Sequence, residues 1–179
     1  GSYRATLIMW KIEESEEELS KLVTETDRLS ALRFGSSKRR REHLAWRAAL
    51  RSFIPDGVVG YDKSSSPCIA AEGDKEKVYL SAAHTDDMAV VLISERPCAV
   101  DVEHEDRDLS KHAPRFISAS ARALPAAGDK LFPIAIWCAK EVMYKIECER
   151  ELSFLDDFLI TEADLENGKI KGITKGVIE

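Results

Sequence analysis

Glu141 and Lys145 lie four residues apart in the segment Trp137-Cys138-Ala139-Lys140-Glu141-Val142-Met143-Tyr144-Lys145. On a helix that spacing projects one acid and one base from the same side. Alone, the pair reads as a surface ion pair worth about 0.3–0.5 kcal/mol, with the glutamate first in the favourable order. Asp101 and Glu103 upstream add two more carboxylates, the ligand type that a hard divalent cation takes. Two residues apart on a strand, they would present their carboxylates along one face at roughly 6–7 Å. The competing reading is a strand whose outer face is merely polar. Mg²⁺ takes one or two carboxylates, keeps waters and adds substrate phosphate oxygens.

Two further features bear on phosphate. His84 falls in a turn-like stretch, where it is either a solvent-exposed turn residue or a donor to a phosphate. With no second His or Cys nearby it is not read as a zinc ligand. Lys38, Arg39, Arg40, Arg41, Arg47 and Arg51 place six cations in one stretch of an acidic chain. They form either an anion-binding face, helped by the positive end of a helix, or a solvated face that pairs with the Glu13–Glu18 cluster. Taken together, the carboxylates, Lys145, His84 and the basic stretch suit a Mg²⁺-dependent enzyme acting on a pyrophosphate. The metal and Lys145 would neutralise charge as a phosphoanhydride breaks, and the basic helix would hold a remoter phosphate.

These residues need elements to hold them. Leu131 to Arg150 reads as one helix, with Trp137, Val142, Met143 and Ile146 recurring at the helical period. Ala5 to Ile12 is an apolar strand, and Glu13 to Val23, with five glutamates, is a solvated helix. A second helix begins at Ser36, with Ser37 as its N-cap, Leu44, Ala45, Ala48, Leu50 and Phe53 as its buried face, and Pro55 as its stop. Val58 to Tyr61 is extended, and Ser64 to Pro67 is a loop. Val78 to Ala83 and Met88 to Ser94 predict a hairpin turning at His84-Thr85-Asp86-Asp87, with Cys98 to Glu103 as a third strand. Short helices meet at a Ser118 cap between Asp108 and Leu124. Pro125 to Lys130 is a loop, and Phe154 to Ile160 pairs with Lys169 to Ile173 through Glu166-Asn167-Gly168. Strands and helices in this order, with antiparallel neighbours, predict an α+β fold.

The chain has 179 residues, 44% of them apolar, enough for one compact domain or two packed halves. No run approaches the eighteen or so apolar residues of a membrane span, and no signal-peptide pattern opens the chain. Gly1-Ser2 reads as a cloning remnant. Cys68, Cys98, Cys138 and Cys148 show no C-x-x-C spacing and read as reduced, buried thiols of a cytoplasmic protein. A net charge of −6 and few aromatics near the basic stretch argue against a nucleic-acid module.

Asp101 and Glu103 in Ala99-Val100-Asp101-Val102-Glu103, together with the Trp137–Lys145 segment, resemble the two marks of the 4′-phosphopantetheinyl transferases of the surfactin-synthetase-activating type. Those marks are a G-[VI]-D-[VI]-E strand and a W-[SC]-x-K-E-x-x-x-K helix. Arg115-Phe116-Ile117-Ser118 stands where the family has R-F-F-S, and Ser81-Ala82-Ala83-His84-Thr85 is similar to its S-x-S-H-S hairpin. The basic helix and Ser66-Pro67-Cys68-Ile69 stand at its R-x-x-L stretch and its G-K-P-x-[IL] loop. The resemblance covers roughly residues 35–160.

The resemblance implies a pseudo-twofold α+β fold with two similar halves, 1–95 and 96–179, each a small antiparallel sheet on a helix, and an active site between them. It implies Mg²⁺-dependent transfer of the 4′-phosphopantetheine arm of coenzyme A to a serine of an apo acyl or peptidyl carrier protein. Adenosine 3′,5′-bisphosphate would be released, as in a holo-acyl-carrier-protein synthase. By position, Asp101, Glu103 and Glu141 would hold Mg²⁺. Glu141, or a water on the metal, would take the serine proton, and Lys145 would stabilise the departing phosphate. Arg41, Arg47, Ser66, Pro67, His84 and Lys140 would contact coenzyme A. The enzyme would act as a cytoplasmic monomer, with no nucleic acid or membrane as partner.

Several positions depart from the family pattern. Ala99 replaces a glycine, Ala83 replaces the serine before the histidine, Ser65 and Ser66 replace the Gly-Lys of the loop, and Ala121 stands at a usual glutamate. Each lost phosphate contact costs about 1.5–3 kcal/mol if nothing compensates. The departures therefore imply altered or weakened coenzyme A binding. The alternative they leave open is a non-catalytic relative that binds coenzyme A or a carrier protein.

Overall fold

A computed structural model of the chain describes residues 3–61, 67–69, 78–147 and 152–175. The chain forms two compact units, Gly1–Val102 and Glu103–Glu179, and the fold is α+β in both. Among the described residues no helix is long and apolar enough to cross a membrane.

In the first unit, β1 (Ala5–Lys11) alternates exposed and half-buried residues, so Thr6, Ile8 and Trp10 face inward. Two short helices follow, α1 (Glu16–Ser20) and α2 (Glu25–Ala31), each opened by a capping box. Ser15 with Glu18, and Thr24 with Asp27, satisfy the first-turn N–H groups reciprocally. The long helix α3 (Ser37–Phe53) is capped by Ser36, whose Oγ accepts from Arg39 N–H, one residue earlier than the sequence suggested. Beyond it come β2 (Val59–Tyr61), β3 (Pro67–Ile69), β4 (Val78–His84) and β5 (Met88–Ser94). Together with β1 they make one antiparallel sheet in the order β1-β5-β4-β3-β2.

One face of that sheet packs on α3. Leu44, Ala45, Ala48, Ala49 and Leu50 of the helix meet Leu80, Ala89, Val91 and Ile93, with Ile8, Trp10 and Ala82 at the margin. The predicted hairpin is present, but the turn is tighter than expected. Thr85 N–H bonds Met88 C=O at 2.8 Å while its Oγ1 accepts from Met88 N–H at 3.1 Å. His84 is consequently the last residue of β4, paired with Ala89, and not a hairpin tip.

Cys98 to Glu103 is not a third strand of the meander. Val100 N–H is taken by the Ser81 hydroxyl at 3.1 Å, so a side chain, not a ladder carbonyl, holds this segment. The alternation that would set Asp101 and Glu103 on one strand face therefore does not apply.

The second unit is built on α5 (Phe132–Glu147), which packs on the hairpin β6 (Phe158–Asp164) and β7 (Lys169–Thr174). Phe132, Ile136, Phe116, Ile117, Ala121, Leu109 and Ile160 form its core. Ser118 caps the four-residue helix α4 (Ala119–Arg122), as its sequence predicts. Pro125–Gly128, expected as loop, is a 3-10 turn. The strand expected from Phe154 starts only at Phe158, because Ser153 Oγ and the Asp157 carboxylate bond local N–H groups and curl Phe154–Asp157 into a turn. Gly168 supplies the left-handed φ of 61° that the β6–β7 turn requires.

Candidate active site

The chemistry-bearing residues of the second unit gather on one face of α5. Trp137, Glu141 and Tyr144 recur at helical spacing and line a cavity of about 520 Å³. Arg107, Leu109, His112, Arg115, Phe116 and Phe154 complete its wall. Aromatic rings fix its shape. Phe116 meets Trp137 edge-on at 5.2 Å, and Phe154 lies 5.5 Å from Trp137 and 5.6 Å from Tyr144.

Glu103 is tied to this wall from outside the helix. Trp137 Nε1 donates to Glu103 Oε1 at 3.0 Å, and Arg107 donates to the same oxygen. The Arg107 guanidinium also stands over the Trp137 ring, 5.6 Å from its centroid. Glu141 is one turn beyond Trp137 on the same helix. The unit thus holds Glu103 against Trp137, one helical turn from Glu141, which lies 38 places further along the sequence and lines the cavity. Lys145 follows one further turn along α5 and is half-buried.

Lys140, next to Glu141, is turned into the interior. Its side chain is fully buried and its Nζ donates to Phe154 C=O. Burial pushes its ammonium down to about 8, against a smaller opposing pull from Asp156.

In the first unit, Asp101 lies in the segment after β5, with one carboxylate oxygen, Oδ2, shielded from solvent. His84 Nδ1 is 3.7 Å from Glu42 Oε2 on α3. Pro67 opens β3, and Ser66 lies outside the described residues. Four of the α3 cations are engaged by acids or carbonyls of the first unit. Arg40 pairs with Glu16 at 2.6 Å, and Arg41 donates to the backbone carbonyls of Glu14 and Ile12 at 2.7 and 2.9 Å. Arg47 is buried, donates to Asp27 at 3.1 Å and to the Tyr61 hydroxyl at 2.7 Å, and stacks 4.1 Å over Trp46. Arg51 completes the cluster with two bonds to Asp27, at 2.7 and 3.1 Å.

Burial alone raises the Asp27 carboxyl, but the hydrogen bonds from Arg51 and Thr24 and the two guanidinium charges outweigh it, and its pKa falls below 3.8. His43 sits beside this cluster with Nε2 2.7 Å from Ser30 Oγ. Ser30 in turn donates to Asp27 C=O at 2.7 Å, so His43 donates to the serine and the pair is not a primed nucleophile.

The sequence reading passed over Asp27, Arg107, His112 and Phe154. A signal existed for two of them. Thr24-x-x-Asp27 has capping-box spacing, and Arg107 stands four residues from Glu103.

No protein-family model matches the chain, and no curated protein matches it significantly. Among solved structures, it is similar to a holo-(acyl-carrier-protein) synthase from Bacillus anthracis str. Ames in complex with CoA (3′,5′-ADP). The identity is 20% and the TM-score 0.40, over 50% of this chain and 92% of that one.

Proposed function

We propose that the chain transfers the 4′-phosphopantetheine arm of coenzyme A to a serine of an apo acyl or peptidyl carrier protein, as a member of the surfactin-synthetase-activating type. The observation that carries this reading is the hydrogen bond from Trp137 Nε1 to Glu103 Oε1. It joins the first residue of the helical mark, one turn before Glu141, to the last acid of the other mark.

Asp101, Glu103 and Glu141 are the proposed ligands of Mg²⁺, each an oxygen donor of the kind that ion takes, and the indole N–H orients Glu103 as outer partners orient metal-binding carboxylates. When bound, the metal would neutralise pyrophosphate charge. The remaining work belongs to side chains. The serine oxygen bonds to the phosphorus that carries the pantetheine arm, and the phosphoanhydride oxygen leaves with adenosine 3′,5′-bisphosphate. Glu141 accepts the serine proton, and the Lys145 ammonium stabilises the departing phosphate. Arg41, Ser66, Pro67 and His84 are the proposed coenzyme A contacts, whereas Arg47 and Lys140, expected among them, would have to leave their buried partners to join them.

Mass spectrometry of apo carrier proteins incubated with this chain, coenzyme A and Mg²⁺ tests the proposal. A gain equal to one phosphopantetheine arm on the carrier serine is expected, and no gain across fatty-acid, polyketide and peptide carriers would refute it.

The burial of Arg47 and Lys140 favours a second reading, in which the chain binds coenzyme A or a carrier protein without turnover. Their cationic heads are engaged by Asp27, Tyr61 and Phe154 C=O, which weakens the phosphate cradle. Glu141→Gln separates the two readings: it abolishes transfer under the first and leaves binding intact under the second.

A further inference from the structure

Two donors of different character converge on Glu103 Oε1. The Trp137 indole is neutral and held by α5, whereas Arg107 brings a permanent positive charge. Arg107 is also tethered. Its own N–H bonds His104 C=O at 3.1 Å, closing the turn that keeps it four residues from Glu103. The Arg107 side chain is 43% exposed while the Glu103 side chain is 16% exposed, so the arginine has room to swing and the carboxylate does not. Arg107 and Arg115 both line the cavity beside Glu141.

We infer that Arg107 is a built-in counter-cation for Glu103: a divalent cation must displace it, and the displaced guanidinium stays in the cavity as a contact for an anionic substrate. The inference rests on the reading above that Glu103 is a metal ligand. A carboxylate oxygen that accepts a guanidinium hydrogen bond offers less charge to a second cation, so the two compete. The Trp137 bond is neutral and survives the exchange, keeping the carboxylate aimed. Arg107 thereby sets the metal affinity of the site and couples metal arrival to the appearance of a cation for substrate.

Calorimetric titration of Mg²⁺ and Mn²⁺ into the metal-free full chain tests this without any turnover. Arg107→Gln should tighten divalent binding by about two- to fivefold, the scale of a part-exposed ion pair, and Arg107→Lys should return it toward the wild-type value. Trp137→Phe should move the other way, weakening binding by about tenfold or more, as loss of an orienting outer partner does. Unchanged or weaker binding in Arg107→Gln overturns the counter-cation role while leaving the metal assignment standing. If neither wild type nor Arg107→Gln binds a divalent cation, the metal assignment falls and this inference falls with it.

Discussion

Asp27 is the residue on which the first unit's polar core depends. Its carboxylate closes the α2 capping box and accepts from Arg47 and Arg51 while only 1% exposed. Removing it would leave two buried guanidinium groups without their counter-charge, the situation that makes breaking a buried ion pair so costly. Asp27→Ala is expected to lower stability by about 3–5 kcal/mol, read as a shift in urea midpoint at constant slope. Asp27→Asn should recover part of the loss by keeping the cap oxygen. The same cluster explains why the cationic stretch was hard to assign from sequence. Six basic residues on one helix suggested phosphate or solvent, yet the helix period hides which face each occupies relative to an acid twenty or more residues earlier. Arg40 did find the Glu13–Glu18 cluster, and Arg47 and Arg51 found Asp27.

At the level of elements, α3 and α5 do the organising, and both were legible because their apolar residues repeat over more than four turns. Leu50 of α3 is fully buried against the sheet, and Leu50→Ala should cost about 2–5 kcal/mol. In the second unit, β7 approaches α5 so closely that a Cβ at Gly172 would lie 2.8 Å from Met143 Sδ and 3.1 Å from Leu159 C=O. Gly172→Ala is therefore expected to destabilise by about 1–3 kcal/mol through displacement of Met143, measured by thermal unfolding. Two short segments were misjudged, and for a shared reason. Cys98–Glu103 and Phe154–Asp157 carry strand-like residues, but side-chain oxygens of Ser81, Ser153 and Asp157 capture their N–H groups or those of their flanks. Such bonds compete with a ladder and leave no periodic trace in sequence. The Glu103–Trp137 contact was equally invisible, since it depends on how an irregular segment returns to a helix. What sequence did supply was the acids themselves and the helix that carries Glu141.

For the molecule as a whole, the predicted acid response follows from His43. Burial, and then the charge of Arg47, push its pKa down to about 4, below the 6.5 of an exposed histidine. The unfolded chain therefore binds a proton between pH 6.5 and about 4 that the folded chain refuses. Stability from this group is intact above pH 6.5 and is lost as pH falls through that window. A drop of about 2 kcal/mol is expected between pH 7 and 5, and His43→Gln should flatten it in denaturant titrations at the two pH values.

The proposed activity draws on the whole molecule at once, because phosphoryl transfer needs acids, cations and a substrate cavity together. The most direct measurement is the release of adenosine 3′,5′-bisphosphate from coenzyme A, followed chromatographically with and without an apo carrier protein. Wild type should release one nucleotide per carrier modified, stop when chelator removes divalent cations, and fall to background in Glu141→Gln and Glu103→Gln. Nucleotide release that persists in both carboxylate variants, or none from wild type with every carrier offered, would contradict the assignment.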